Sequence, residues 1–156
     1  MNLAADVLTA ARARGILIAT AESCTGGLIA GALTEVPGSS DVVDRGFVTY
    51  SNAAKMQMLG VKAETLDTYG AVSEEVAAEM ARGALTRSDA ALSVAVTGIA
   101  GPGGSGHKPE GLVCFGVATE SAVRTETAEF GAIGRAQVRA ATVEHALRLL
   151  LARLAG

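Results

Sequence analysis

Apolar positions along the chain change period several times, and each change marks an element. Leu3, Val7, Leu8 and Ala11 fall three and four apart, predicting an amphipathic surface helix over 2–14 that ends at Gly15. Ile16, Leu17 and Ile18 are consecutive and run into small polar residues, predicting a buried strand over 16–21. The pair Gly26–Gly27 follows, and Leu28, Ile29, Ala32 and Leu33 then share one helical stripe, so a helix is expected over 25–35. Residues 36–41, VPGSSD, carry loop chemistry. VVDRGFVTY (42–50) reads as a strand with Gly46 as a bulge or a point of close approach. Ser51–Asn52 reads as a cap, followed by a short helix over 53–59 closed by Gly60 and a helical turn or two within 63–70.

Ser73 with Glu74 and Glu75 marks the start of another helix, whose apolar face is Val76, Met80 and Ala84. ALSVAVTG (91–98) is almost continuously apolar, as a central strand covered on both faces should be. IAGPGGSGHKPEG (99–111) is glycine-rich and holds two of the three prolines; so long a connection points to a functional loop. LVCFGVAT (112–119) and AVRTETAEF (122–130) read as a hairpin, the second strand alternating as an edge strand does. Val143, Leu147, Leu150, Leu151 and Leu154 predict a long amphipathic helix over 132–154. The alternation of strands and helices, closed by a hairpin and a helix, predicts one α/β domain over 1–156, a three-layer α/β/α sandwich with a mixed β-sheet.

Composition narrows the function classes. Apolar residues make up 49% and charged residues 19% of the 156, which is globular and not disordered. Aromatics are 3% and tryptophan is absent, which argues against a stacking platform for single-stranded nucleic acid. The net charge is −3 with no block of Lys or Arg, so neither nucleic acid nor an anionic membrane is an expected partner, although local arginines can still hold one phosphate. No apolar stretch reaches spanning length, and the amphipathic N-terminus lacks the pattern of a signal peptide; the expected location is the cytoplasm. Cys24 and Cys114 lack metal-ligand spacing and read as reduced apolar thiols, with a reactive thiol at Cys24 as the alternative.

Candidate chemistry centres on Ser23, in the turn between the first strand and the second helix. Free amides and the positive end of the helix dipole meet there, so Ser23 can be a nucleophile or a plain N-cap. Turns at strand carboxyl ends collect on one side of an α/β sheet. The turns 20–27, 50–55 and 97–106 would thus bring together Ser23, Tyr50, Lys55 and Thr97. The only histidines are His107 in the long loop and His145 off the apolar stripe of the last helix, so a Ser-His-Asp triad lacks a placed histidine. A lysine or tyrosine base remains: a buried Lys55 can be neutral and accept a proton, whereas a solvated Lys55 and a core-edge Tyr50 are the alternatives. No His/Asp/Glu set has metal-ligand spacing, and GPGGSG lacks the Gly-Lys-Ser/Thr of a phosphate loop.

TAESCTGG (20–27), GFVTYSN with AK (46–52, 54–55), GAVS (70–73), TGIAGP (97–102), KP (108–109) and RxxVR (135–139) occur in series across nearly the whole chain. In these motifs the sequence resembles the CinA C-terminal domain family, whose members with assigned activity are nicotinamide-nucleotide amidases. The resemblance implies hydrolysis of the carboxamide of nicotinamide mononucleotide to nicotinic acid mononucleotide and ammonia, a step of pyridine nucleotide salvage, with no cofactor. It implies a Ser–Lys mechanism with Ser23 as nucleophile, Lys55 as general base and Tyr50 as proton relay or orienter. Thr25, Gly26, Gly27, Asn52, Thr97 and Gly98 would line the substrate site. Amides of the 23–27 turn would receive the oxyanion, a contribution of roughly 3–4 kcal/mol per donor. Arg135 and Arg139, one helical turn apart, would suit the 5′-phosphate, with a solvated arginine face as the alternative. Three features depart from the family pattern: a shorter loop after TGIAGP, Glu110 where an apolar residue is usual, and FGAIGR where an acid is common before Arg135. The expected partner is a small-molecule nucleotide; the amphipathic last helix and the edge strand leave a homo-oligomer open. Two other functions stand beside this one: a non-catalytic nucleotide-binding or interaction module, and an amidase acting on another small carboxamide.

Overall fold

The computed structural model describes residues 2–156. Its first helix, α1 (Leu3–Arg14), is capped by the Asn2 side chain, which accepts from the Ala5 N–H, and ends at Gly15 with φ 65°. The elements that follow are β1 (Ile18–Glu22), α2 (Leu28–Thr34), β2 (Val43–Val48), α3 (Asn52–Leu59), α4 (Ala63–Tyr69), α5 (Glu74–Thr86), β3 (Leu92–Gly98), β4 (Leu112–Thr119), β5 (Val123–Glu129) and α6 (Arg135–Ala155). The strands form one mixed sheet in the order β2-β1-β3-β4-β5. β1 pairs in parallel with β2 and β3, while β3–β4 and β4–β5 are antiparallel.

The pleat divides the core into two halves. On one face Ile18, Leu92, Val94, Val96, Val113 and Phe115 are buried against α1, α2 and α6. On the other, Ala19, Ala21, Ala95 and Ala118 meet Val76, Met80, Ala81 and Ala84 of α5, with Leu59 and Leu66 beyond. This second face is built from small residues because α5 lies close. A Cβ on Gly116 would sit 2.6 Å from the Ala77 carbonyl oxygen, and one on Gly83 only 2.0 Å from that of Leu59. The three-layer α/β/α sandwich and mixed sheet expected from the alternation are thus present, with β3 central and β5 at an edge.

Boundaries differ where glycine or side-chain bonding intervenes. The second helix starts at Leu28 and not at 25, because Gly26 and Gly27 take left-handed φ of 57° and 108° and hold 25–27 as a turn. β2 ends at Val48, which leaves Thr49 and Tyr50 in the connection to α3. Gly46 is a point of close approach, since a Cβ there would lie 2.7 Å from Thr20 Oγ1; the bulge falls instead at Asp44, between the pairs Ile18–Val43 and Ala19–Arg45. The last helix starts at Arg135, after Gly131 and Gly134 with φ of 83° and 107°. Among the described residues no helix is long and apolar enough to cross a membrane.

Candidate active site

β1, β2 and β3 run in parallel, so their carboxyl ends share one edge of the sheet. The chain leaves β1 toward β2 and later returns to β3 on the other side, which opens a crevice at the switch between β1 and β3. A cleft of about 350 Å³ lies there, bounded by Ser23, Tyr50, Lys55, Thr97 and Gly101. The three turns expected to converge do so. A fourth wall, Ala71 and Val72 of the turn between α4 and α5, joins them.

Ser23 follows β1 directly and stays pinned to the sheet, its N–H donating to the Val96 carbonyl at 3.0 Å. Ser51 caps α3, accepting from the Ala54 N–H, and the first turn of that helix carries Lys55 inward. Lys55 is 2% exposed. Its Nζ lies 3.0 Å from Ser23 Oγ and donates to the Thr49 carbonyl at 2.9 Å. Among the described residues no carboxylate pairs with it. Burial without a counter-ion disfavours the ammonium and moves the Lys55 pKa below the ordinary lysine value.

The other residues expected at the site divide into two groups. Thr97, Gly98 and Asn52 border the cleft, and Thr97 Oγ1 also donates to the Ala71 carbonyl, tying two walls together. Tyr50 stands 62% exposed at the mouth; its phenol oxygen accepts from Arg135, whose other nitrogen donates to the Gly101 carbonyl. Arg135 therefore spans the opening. Arg139 is directed elsewhere, donating to the carbonyls of Cys24 and Thr25 and clasping the turn from outside. Thr25 is fully buried and bonded to Glu22, while Gly26 and Gly27 shape the turn and do not border the cleft. His107 is exposed on its loop, and His145 pairs with Glu126 at 2.6 Å against the Phe115 ring.

Several of the amides at the start of the second helix and in the turn before it are occupied. Glu22 accepts from the Ile29 and Ala30 N–H groups at 2.8 and 3.0 Å, so the first turn of α2 is already satisfied by an internal carboxylate. Within the turn, the Gly26 and Leu28 N–H groups donate to the carbonyls of Ser23 and Thr25. The signal for Glu22 was in the alternation: Ile18, Thr20 and Glu22 point to one face of β1, the face that α2 covers. Lys108, noted only within the KP motif, is a second residue to which pattern reading gave no role. Its Nζ donates to the carbonyls of Tyr69, at 2.8 Å, and Val72, which fastens the long loop to the fourth wall. Cys24 is buried and its thiol is pushed up to about 11, chiefly by desolvation, which favours the neutral thiol at ordinary pH. Among the described residues no cluster of His, Cys, Asp and Glu could hold a metal ion.

A three-layer α/β domain with a buried serine–lysine contact at its sheet switch point defines the class of molecule. The model of the CinA C-terminal domain family matches residues 1–154, and the chain belongs to that family. It is 57% identical over 141 residues to a CinA-like protein of Chlorobium phaeobacteroides, a match covering 87% of this chain and 34% of that protein. The chain thus spans about a third of the length of the first curated relatives it matches. It is 48% identical over 151 residues to the nicotinamide-nucleotide amidohydrolase PncC of Escherichia coli K12, covering 96% of this chain and 92% of that one. Among solved structures, competence/damage inducible protein CihA from Agrobacterium tumefaciens superposes with a TM-score of 0.95 at 56% identity, covering 99% of this chain and 94% of that chain.

Proposed function

We propose that the protein is an amidohydrolase that removes the carboxamide nitrogen of nicotinamide mononucleotide, giving nicotinic acid mononucleotide and ammonia, and that Ser23 and Lys55 carry the reaction. The observation that carries this reading is the 3.0 Å contact between Ser23 Oγ and the Nζ of a buried Lys55 that pairs with no carboxylate among the described residues. A neutral amine there donates one N–H to the Thr49 carbonyl and offers its lone pair to the Ser23 hydroxyl, which is how a lysine serves as general base to a serine. The relative named nicotinamide-nucleotide amidohydrolase, matched over nearly its whole length, supports the substrate class.

In the proposed sequence Ser23 Oγ attacks the carboxamide carbon as Lys55 Nζ takes the hydroxyl proton. The tetrahedral intermediate collapses when Lys55 returns that proton to the leaving nitrogen, and ammonia departs. Neutral Lys55 then takes a proton from water, which attacks the Ser23 ester; Lys55 returns that proton to the departing Ser23 Oγ, and the acid product leaves as its carboxylate, giving its own proton to solvent. The pyridinium ring of the substrate is cationic, and a like charge beside Lys55 further favours the neutral amine. Arg135, at the mouth and bonded to the Tyr50 phenol and the Gly101 carbonyl, is the candidate for the 5′-phosphate; Arg139, spent on the turn carbonyls, is a weaker one.

Ammonia release from nicotinamide mononucleotide tests this, with free nicotinamide as control and Ser23→Ala and Lys55→Met beside the wild type. Nucleotide-dependent release that both substitutions abolish is expected. Release that survives Ser23→Ala would keep the activity and remove the serine from it. No release from folded wild type would favour a binding module over an enzyme.

A further inference from the structure

We infer that Glu22 is the positioning residue for Ser23: its carboxylate occupies the start of α2 as an internal anion and locks the turn that presents the nucleophile. The inference rests on Ser23 acting as nucleophile, as proposed above. Glu22 is 1% exposed. Among the described residues no cation pairs with it. Three donors compensate its burial instead: one oxygen accepts from Thr25 Oγ1 at 2.5 Å and the Ile29 N–H at 2.8 Å, the other from the Ala30 N–H at 3.0 Å. A buried carboxylate is costly unless its bonds are complete, so each bond resists movement of the turn.

The placement explains why this acid directly precedes the serine. Successive side chains of an extended chain point to opposite faces. Glu22 points toward α2 and Ser23 toward α3, where Lys55 waits. The backbone between them is held by β1, whose last residue Glu22 is registered with Val48 on one side and Val96 on the other. Ser23 continues this with its N–H on the Val96 carbonyl, and its own carbonyl accepts from the Gly26 N–H. Arg139 closes the turn from outside. Glu22 thus ties the strand end, the turn and the helix into a single body. Aspartate is a methylene too short to reach the same donors. Glutamine keeps the shape but turns an NH2 toward groups that themselves donate.

The test compares wild type with Glu22→Gln in two assays: ammonia release from nicotinamide mononucleotide, and labelling of Ser23 by a fluorophosphonate, in which Oγ displaces fluoride and the adduct is read by intact mass. For Glu22→Gln with wild-type circular dichroism, kcat is expected to fall by about tenfold or more while KM stays within about twofold, and labelling is expected to slow in parallel. A purely structural role would lower the melting temperature and leave the kcat of folded enzyme and the labelling rate alone; that result overturns the inference. Should Glu22→Gln fail to fold, Thr25→Val removes one bond to the same carboxylate. An unchanged kcat and labelling rate in that variant overturns the inference, and a slowing of both at constant KM supports it. Ser23 labelling without ammonia release in wild type would remove the amidase reading and leave the labelling comparison to decide on Glu22. A wild type that shows neither would overturn both.

Discussion

Lys55 shows how one residue can be legible in type and hidden in state. Its place just after a strand, in one of the turns expected to converge, made it a candidate, but most lysines in short helices are solvated, and only the packing of α3 in the fold settles its burial. Because burial lowers its pKa, the proposed base is unprotonated over a wider range than an ordinary lysine. The kcat/KM for nicotinamide mononucleotide is therefore expected to rise with pH and level off below the ordinary lysine range, near pH 10. A flat profile, or one still climbing there, would count against Lys55 as base. Cys24 makes the opposite case. With its thiol raised to about 11, the Cys24→Ser variant should keep wild-type kcat within about twofold, and alkylating reagents at neutral pH should leave activity intact. Rapid inactivation that Cys24→Ser prevents would show the thiol to be exposed and ionised.

At the scale of elements, period and capping residues located most helices and strands, because the apolar stripes of α1, α5 and α6 and the apolar run of β3 are packing requirements written directly into the sequence. Positions set by side chain–backbone bonds were less legible. Glu22 and Lys108 each act on backbone atoms of another element, which no periodicity records. Lys108 bonds the last residue of α4 and the turn beyond it from within the 99–111 loop, while Glu110 accepts from the Gly103 N–H at 2.6 Å and folds that loop onto itself. Glu110 thus has a defined local partner. Lys108→Met should loosen the two walls that the loop and the turn supply. KM for the nucleotide is expected to rise by about three- to tenfold with a smaller effect on kcat, as measured by steady-state kinetics. An unchanged KM would mean that the loop holds its place without this clasp. Gly83 acts at longer range: a Cβ there meets the carbonyl of Leu59, the last residue of the helix that carries Lys55. Gly83→Ala is expected to cost about 1–3 kcal/mol in urea unfolding and to lower kcat, although Gly83 touches no part of the cleft. Unaltered stability would show that α3 and α5 can separate freely.

Across the whole molecule, convergence of the turns at one sheet edge could be expected from topology alone, since parallel strands put their carboxyl ends together wherever the helices pack. What topology could not show is how the fold tolerates a lysine in its interior. Lys55 has two polar contacts and no carboxylate among the described residues, so the folded state holds the ammonium at a disadvantage that the unfolded chain does not share. The sign of its effect on stability follows from its depressed folded pKa. Below that pKa both states are protonated and the full penalty opposes folding. As pH rises from the folded toward the unfolded value, the unfolded chain binds the extra proton, so stability increases with pH; above the unfolded value the penalty is gone. Lys55→Met removes the titrating group and adds a pH-independent offset for the lost bonds to Ser23 and the Thr49 carbonyl. Stability of the variant relative to wild type should therefore be greatest near neutral pH and decline steadily toward about pH 10, even though the variant is expected to be inactive throughout. Urea denaturation of both proteins across that range measures it. A pH-independent difference would mean that Lys55 keeps an ordinary pKa inside the fold, and that the serine has no neutral base beside it.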